Sequence, residues 1–477
     1  MSIFLQMLLI LSINGIPQHS VLCNDLYGIK DPQINNSNGI WITSPGKNIL
    51  FVQNSNSLDF GTETPSGAVI EVDDEKTYQE IDGFGNCLTG GSATLLNKME
   101  NTDRTALLKE LFSTEKNSIG ISYLRISIGA SDLSDHVFSY DDMPAGQTDP
   151  SLLHFTIEEE KKDLIPVLKE ILAINPSIKI LGSPWSAPVW MKTNGSFKGG
   201  SLKPEYYDSY ADYFVKYIMA MKAEGISIDA ITIQNEPLHP GNNPSMYMAA
   251  DEQAAFIKNN LGPAFSKAGI STKIIVYDHN CDKPDYPMTI YKDPEAAKYV
   301  DGAAFHMYTG SIDALSTVHD AFPEKNLYFT EQWVGGPGNL AGDLAWHVKT
   351  LVIGGTRNWS RNVLEWNLAS DPLYDPHTND GGCDKCLGTV TIDGNSYTKN
   401  PAWYILAHCA KFVRPGSVRV ASNLPAGWPN VAFKTPGGNM VLIVMNESVA
   451  AKDFSLKYKG KTAYILLDGG AVATCVW

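Results

Sequence analysis

Two glutamates stand out by type and surroundings. Glu236 lies in Gln234-Asn235-Glu236-Pro237 and Glu331 in Thr330-Glu331-Gln332-Trp333. Each follows a short apolar run, Ile228 to Ile233 and Leu327 to Phe329, so each is expected at the end of a strand. Two carboxyl groups facing one another suit hydrolysis of a glycosidic bond. One protonates the leaving oxygen, and the other attacks the sugar carbon or activates water. A lone strand-end glutamate is more often solvated or salt-bridged, so the reading rests on their joint placement. Other strand ends bring further polar and aromatic groups. His306-Met307-Tyr308 follows Gly302 to Phe305, and Glu365-Trp366-Asn367 follows Val363-Leu364. Arg125 lies within Tyr123 to Ile128 and leads to Asp132, while Ile178 to Leu181 runs into Trp185 and Trp190. Glu365 is a competing carboxylate. Strand alternation turns it away from Trp366, so a structural role is expected for it.

These residues need a frame that gathers strand ends. Helical patterns separate the apolar runs: Leu164 to Leu172, Tyr207 to Met221, Ala254 to Leu261, Pro294 to Tyr299, Ile312 to Phe322 and Leu340 to Ile353. With Ile274 to Tyr277 and a first strand ending at Phe84, the strands number eight. Eight βα units imply a closed (β/α)8 TIM barrel, whose active site lies at the C-terminal ends of its strands. An open doubly wound sheet is the alternative, but Gly83-Phe84-Gly85 is too short for a dinucleotide fingerprint. The fourth and seventh strands stand three repeats apart, nearly across the barrel. From about residue 400 onward helical periodicity disappears. Val418 to Ala421, Asn430 to Thr435, Asn439 to Met445, Asp453 to Tyr458 and Ala463 to Leu467 read as strands, as do Ile40 to Thr43 and Asn48 to Gln53. The expected division is 1–24 a signal peptide, 25–77 an N-terminal β segment joining a sandwich, 78–399 the catalytic barrel, and 400–477 the C-terminal β-sandwich.

Composition excludes other classes. The 477 residues carry 37 Lys and Arg against 52 Asp and Glu, a net charge of −15, which opposes nucleic-acid binding. Seven cysteines are too few for a disulfide scaffold. Cys383-Asp384-Lys385-Cys386 has CxxC spacing without the further ligands of a zinc site, so a loop disulfide or two free thiols is expected. No Walker loop, HExxH helix or GxSxG elbow occurs, and no metal or cofactor is expected. Ile3 to Ile13 is apolar but too short to span a bilayer and lacks a charged start, an atypical export leader with cleavage near Ser20 to Asn24. Cys23 raises lipid attachment, which the bulky Leu22 opposes. The chain is expected to be secreted, periplasmic or at the cell surface, with no integral membrane segment after cleavage.

Longer motifs carry a resemblance. Ile81-Asp82-Gly83-Phe84-Gly85, Ser183-Pro184-Trp185-Ser186-Ala187-Pro188 followed by Trp190 to Gly195, Asn235-Glu236-Pro237, Asp293 to Val300 and Glu365 to Ala369 resemble glycoside hydrolase family 30, close to its glucosylceramidase group. The resemblance spans roughly residues 78–477. It implies a retaining β-glycosidase, with Glu236 as acid/base and Glu331 as nucleophile. By the same resemblance Asn235 meets the sugar 2-hydroxyl, Asp132, Trp185 and Trp366 hold its outer hydroxyls, Tyr308 lies near the nucleophile, and Arg125 and His306 support the pocket. The chain departs from animal glucosylceramidases at Asp380 to Cys386 and after Pro237, and is similar to bacterial members there. The main expectation is a glucosylceramidase-like β-glucosidase acting on an oligosaccharide, glucan or glycolipid. An endo-β-1,6-glucanase or β-xylanase is the alternative, and a non-catalytic carbohydrate-binding protein is the rival of another class.

Overall fold

The computed structural model describes residues 39–54, 58–115 and 117–477. The expected leader and Cys23 lie outside the described residues. Eight parallel strands close into a barrel in chain order. Strand one is Gly83–Cys87, two Tyr123–Ser127, three Lys179–Ser183 and four Ala230–Thr232. Strand five is Lys273–Cys281, six Val300–Gly310, seven Asn326–Glu331 and eight Ser360–Asn367. Strand eight pairs with strand one, Val363 opposite Phe84, which removes the open-sheet alternative.

The first strand corrects the sequence reading. Residues Ala68–Ile81 form a separate long strand of the sandwich, running through the expected boundary at 78, and barrel strand one begins only at Gly83. Its glycines suit a close approach. A Cβ on Gly85 would lie 1.9 Å from the Tyr123 carbonyl oxygen of strand two.

Alternation along the strands explains what fills the barrel. Tyr123, Leu181, Ala230, Ile275, Ala304, Tyr328 and Leu364 point inward and form one buried apolar cluster. Their outward neighbours, such as Leu124, Ile180, Ile231, Ile274, Ala303, Leu327 and Val363, pack in the larger core with the helices. Two residues further along the strands, the next inward positions are Arg125, Ser183, Thr232, His306, Thr330 and Trp366. The layer beneath the site is apolar, and the layer that forms it is almost wholly polar.

Pro401–Ala410 is a helix, where the sequence reading has only strands beyond 400. It lies against strand one, helix Leu340–His347 and strands Ile49–Gln53 and Val472–Val476. The reason it escapes is physical. It is apolar and buried nearly all round, so it shows no polar stripe to reveal a 3.6-residue period.

Both chain ends build the sandwich, as expected. One ladder runs Ile49–Gln53, Gly39–Ser44, Val472–Val476, Met440–Met445, Asn430–Lys434, Ser417–Ser422, Ala68–Ile81, Lys452–Tyr458, Lys461–Leu467. Ile40 faces Cys475, joining the N-terminal strand to the C-terminal one. Met440–Met445 is buried on both faces. Leu442 and Val444 enter the sandwich core, while Val441, Ile443 and Met445 pack in the barrel's core.

Candidate active site

Asp278 is the anchor of the polar layer. Straight alternation after Ile275 would turn it outward. A register shift between Tyr277 and His279 reverses this, with φ of 74° at Tyr277 and 60° at Asp278. The carboxylate then accepts from five strands. Arg125 Nη2 (2.8 Å), Thr232 Oγ1 (2.7 Å) and Ser183 Oγ (3.2 Å) donate to Oδ2. Thr330 Oγ1 (2.7 Å) and His306 Nε2 (3.1 Å) donate to Oδ1. Burial alone would raise its pKa, but Arg125, His306 and Thr330 outweigh burial and hold it well below the usual carboxylate range.

Arg125 and His306 pass this order to the two glutamates. Arg125 Nη1 donates to Glu331 Oε2 at 2.5 Å, and its Nη2 also reaches Asn235 Oδ1 at 2.6 Å. Tyr308 Oη donates to Glu331 Oε1 at 2.9 Å. His306 Nδ1 lies 3.1 Å from Glu236 Oε1. Burial opposes a charge on His306, yet Glu331, Asp278 and Glu236 together raise its pKa to about 9, so both ring nitrogens donate at neutral pH. Glu236 itself sits at φ 44°, with its N–H bonded to the Asp278 carbonyl at 3.0 Å. A left-handed conformation at a non-glycine residue is strained, and such strain gathers at working sites.

A carboxylate oxygen of Glu236, one of Glu331 and a nitrogen of His306 all lie within 4.8 Å of one another. Two cations, Arg125 and protonated His306, already neutralise this group, so it suits proton sharing better than holding a metal ion. Burial raises Glu331, and the neighbouring Glu236 adds to it beyond what His306 and Arg125 take back. At Glu236 burial is outweighed by the hydrogen bond from His306, which holds it low while the imidazolium keeps its proton. The three groups therefore share a mobile proton and titrate together.

Above them opens a cavity of about 260 Å³, lined by Asp132, Trp185, Trp366, Tyr308 and Trp333 beside the two glutamates. Trp185 and Trp366 stack with ring centroids 5.4 Å apart, and the Arg125 guanidinium lies 4.7 Å from the Trp185 ring. The Trp185 indole N–H is buried and has no partner among the described residues. Asp132 is pushed up to about 8 by burial and by Glu331 and Glu236, so it stays protonated at neutral pH.

The expected residues fall into two groups. Glu236, Glu331, Asp132, Trp185, Tyr308 and Trp366 line the cavity. Arg125 and His306 stand behind that wall as fully buried supports, and Asn235, slightly exposed, accepts from Arg125 through Oδ1. Trp190 is elsewhere, its indole N–H donating to Asp141. Glu365 is structural, as alternation requires. It points away from the cavity and pairs with His347 at 2.9 Å. Cys383 and Cys386 form a disulfide, and both line the cavity. Sequence reasoning missed Asp278, His279 and Asn280 at the end of strand five, and His239 and Asn242 in the loop after strand four. Strand-end position was the available signal for His279 and Asn280, whereas Asp278 is turned inward only by the register shift.

The chain matches the glycosyl hydrolase family 30 TIM-barrel domain over residues 81–413 and the family's beta sandwich domain over residues 416–475. It is similar to an endo-1,6-beta-D-glucanase of Neurospora crassa, 39% identical over 75% of this chain and 76% of the relative. It is similar to the mouse lysosomal acid glucosylceramidase at 30% identity, over 81% of this chain and 78% of the relative. Among solved structures, the endo-beta1,6-glucanase BT3312 superposes with a TM-score of 0.84 at 36% identity, covering 92% of this chain and 98% of that one.

Proposed function

The chain belongs to glycosyl hydrolase family 30, and we propose that it is an endo-1,6-β-glucanase that retains anomeric configuration. The observation that carries the mechanism is that a carboxylate oxygen of Glu236 lies within 4.8 Å of one of Glu331. Retaining enzymes hold their carboxyls about 5–5.5 Å apart, whereas inverting enzymes leave roughly 6.5–9.5 Å for a water. The similarity to the Neurospora glucanase and to BT3312 favours a β-1,6-glucan over a glycolipid. The glucosylceramidase-like expectation gives way to the alternative on that ground.

In the productive form the shared proton sits on Glu236. Glu331 keeps its ion pair with Arg125, a group that does not deprotonate, and the hydrogen bond from Tyr308. His306 can pass its proton to Glu236 across their 3.1 Å contact without changing the net charge of the site. A Glu331 oxygen then attacks the anomeric carbon as the glycosidic bond breaks. The bond's electron pair leaves with the departing oxygen, which takes the proton from Glu236. The sugar is left as an ester of Glu331. Glu236, now ionised, removes a proton from water, the water oxygen attacks the anomeric carbon, and Glu331 departs as carboxylate. Protonated Asp132 and the Trp185 indole N–H donate to sugar hydroxyls, and Asn235 meets the 2-hydroxyl beside Glu331.

Two variants separate the roles. Glu331→Gln loses nearly all activity on every substrate. Glu236→Gln keeps activity on an aryl β-glucoside with a very good leaving group, which needs no acid, and loses it on the glucan. Equal loss on both substrates in Glu236→Gln contradicts the assignment. Faster cleavage of glucosylceramide or xylan than of β-1,6-glucan contradicts the substrate. Residues 1–24 act as an export leader in this reading, which N-terminal sequencing of the exported protein tests.

A further inference from the structure

The cavity has a second half that the glutamate chemistry does not use. Glu236 delivers its proton to the departing oxygen, so the leaving group must lie on its side of the cavity. His239 and Asn242, three and six residues beyond it, line the cavity there, with His279 of strand five. The Asn242 side chain is partly exposed and has no partner among the described residues.

This loop is fastened to the one carrying the disulfide. Asn243 Nδ2 donates to the Asn379 carbonyl at 2.8 Å, and the Asn243 N–H points to the Gly381 carbonyl at 3.4 Å. Thr378 Oγ1 donates to the Asn243 carbonyl, and the Thr378 N–H to the Asp132 carbonyl at 2.9 Å. Lys198, from the loop after strand three, reaches Asp380 at 3.1 Å. At Gly381, φ is 122°, and a Cβ would lie 2.9 Å from the Gly241 carbonyl oxygen and 3.1 Å from the Asn243 nitrogen. The two backbones therefore meet where only glycine fits. The disulfide closes the far end of the segment, with Cys386 buried beside Trp185 and Trp366 and Cys383 packed against the same cluster. The wall is continuous from the acid glutamate round to the tryptophans. It brings the polar side chains of His239 and Asn242 and the two disulfide sulfurs to the cavity, and hydrogen-bonding groups of this kind suit a hydroxylated ring.

We propose that segment 378–386, clamped by the Cys383–Cys386 disulfide and seated on loop 239–244, forms the leaving-group subsite and selects a second sugar ring there. The inference rests on the hydrolase reading above. Asn242 and His239 meet the hydroxyls of that ring, and Gly381 sets how far the wall stands from Glu236.

The test compares Gly381→Ala, Asn242→Ala and the double variant Cys383→Ser with Cys386→Ser against the wild-type enzyme. Each is assayed on a soluble β-1,6-linked glucooligosaccharide and on an aryl β-glucoside, which has no second sugar. Circular dichroism and a melting curve accompany each variant, and Asn242→Ala leaves both the backbone contact and the disulfide in place. The ratio of kcat/KM for the oligosaccharide over the aryl glucoside is expected to fall about tenfold, chiefly through KM, as contacts to the second sugar are lost. A ratio within twofold of wild type in all three folded variants overturns the inference, as does an equal loss on both substrates. Wild-type failure to cleave β-1,6-glucan sinks the proposed substrate instead. The ratio is then read on whichever β-linked glucan the wild-type enzyme does cleave, so the two failures stay distinct.

Discussion

At the scale of single residues, the site is an ordered set of charges around Asp278. This carboxylate holds Arg125 and His306 in the positions from which they reach Glu331 and Glu236. Its pKa and that of His306 are coupled through one contact, so the site's working range depends on a residue that never touches the sugar. Above about pH 8 Asp132 ionises and adds a negative charge beside the glutamates, and near pH 9 His306 loses its proton. Activity is therefore expected to fall on the alkaline side between these values. Asp278→Asn removes the negative charge that helps raise His306, so the alkaline limb moves to lower pH and kcat drops by about a hundredfold or more as both supports loosen. A pH profile of kcat/KM checks this, and an unshifted limb counts against it. Glu236 and Glu331 were legible as a pair from their joint placement at the ends of strands four and seven, and both line the cavity. Asp278 was not, because simple alternation turns it outward and only the bulge at Tyr277 and Asp278 brings it in.

At the scale of elements, alternation along one strand separates chemistry from support. Glu365 and Trp366 are neighbours in strand eight, yet Trp366 walls the cavity while Glu365 pairs with His347 of helix Leu340–His347. Glu365→Gln weakens that buried contact by roughly 1–3 kcal/mol. The melting temperature is expected to fall while kcat/KM stays within about twofold. A collapse of kcat with unchanged melting would place Glu365 in the catalytic group instead. The seven later barrel strands were readable as runs of β-branched and apolar residues. Strand one was displaced because its Gly83-Phe84-Gly85 carries no such pattern, and the preceding Ala68–Ile81 strand reads as its continuation. Val472–Val476 went unread in the same way that Pro401–Ala410 did. The strand is buried throughout and the helix at every position but Tyr404, so neither presents a polar face against which a period can be seen.

At the scale of the whole molecule, His408 ties the barrel to both chain ends. It lies on helix Pro401–Ala410, between Thr474 Oγ1 of the C-terminal strand (2.9 Å) and Thr43 Oγ1 of the N-terminal strand (2.8 Å). Thr474 donates its own hydrogen to the His408 carbonyl, so it accepts from Nδ1, and Thr43 donates to Nε2. A neutral imidazole satisfies both. Complete burial lowers the His408 pKa to about 3. An unfolded histidine takes its proton near pH 6.5, so the unfolded state binds more protons between pH 6.5 and 3, and stability falls as pH falls through that window. Between pH 6.5 and 4 this amounts to on the order of 3 kcal/mol. His408→Gln is expected to start less stable at pH 7 but to lose less on acidification. Parallel melting curves for the two proteins from pH 7 to 4 would rule this out. Among the described residues no helix is long and apolar enough to cross a membrane.

The central claim is that Glu331 forms a covalent bond to the sugar while Glu236 gives one proton to the leaving oxygen and takes one back from water. It is tested most directly by proton NMR of the anomeric signals during the first minutes of β-1,6-glucan hydrolysis, before mutarotation. The account predicts that the β-anomer of the new reducing end appears first and the α-anomer follows only as the mixture equilibrates. An α-anomer formed first would mean inversion and would contradict it.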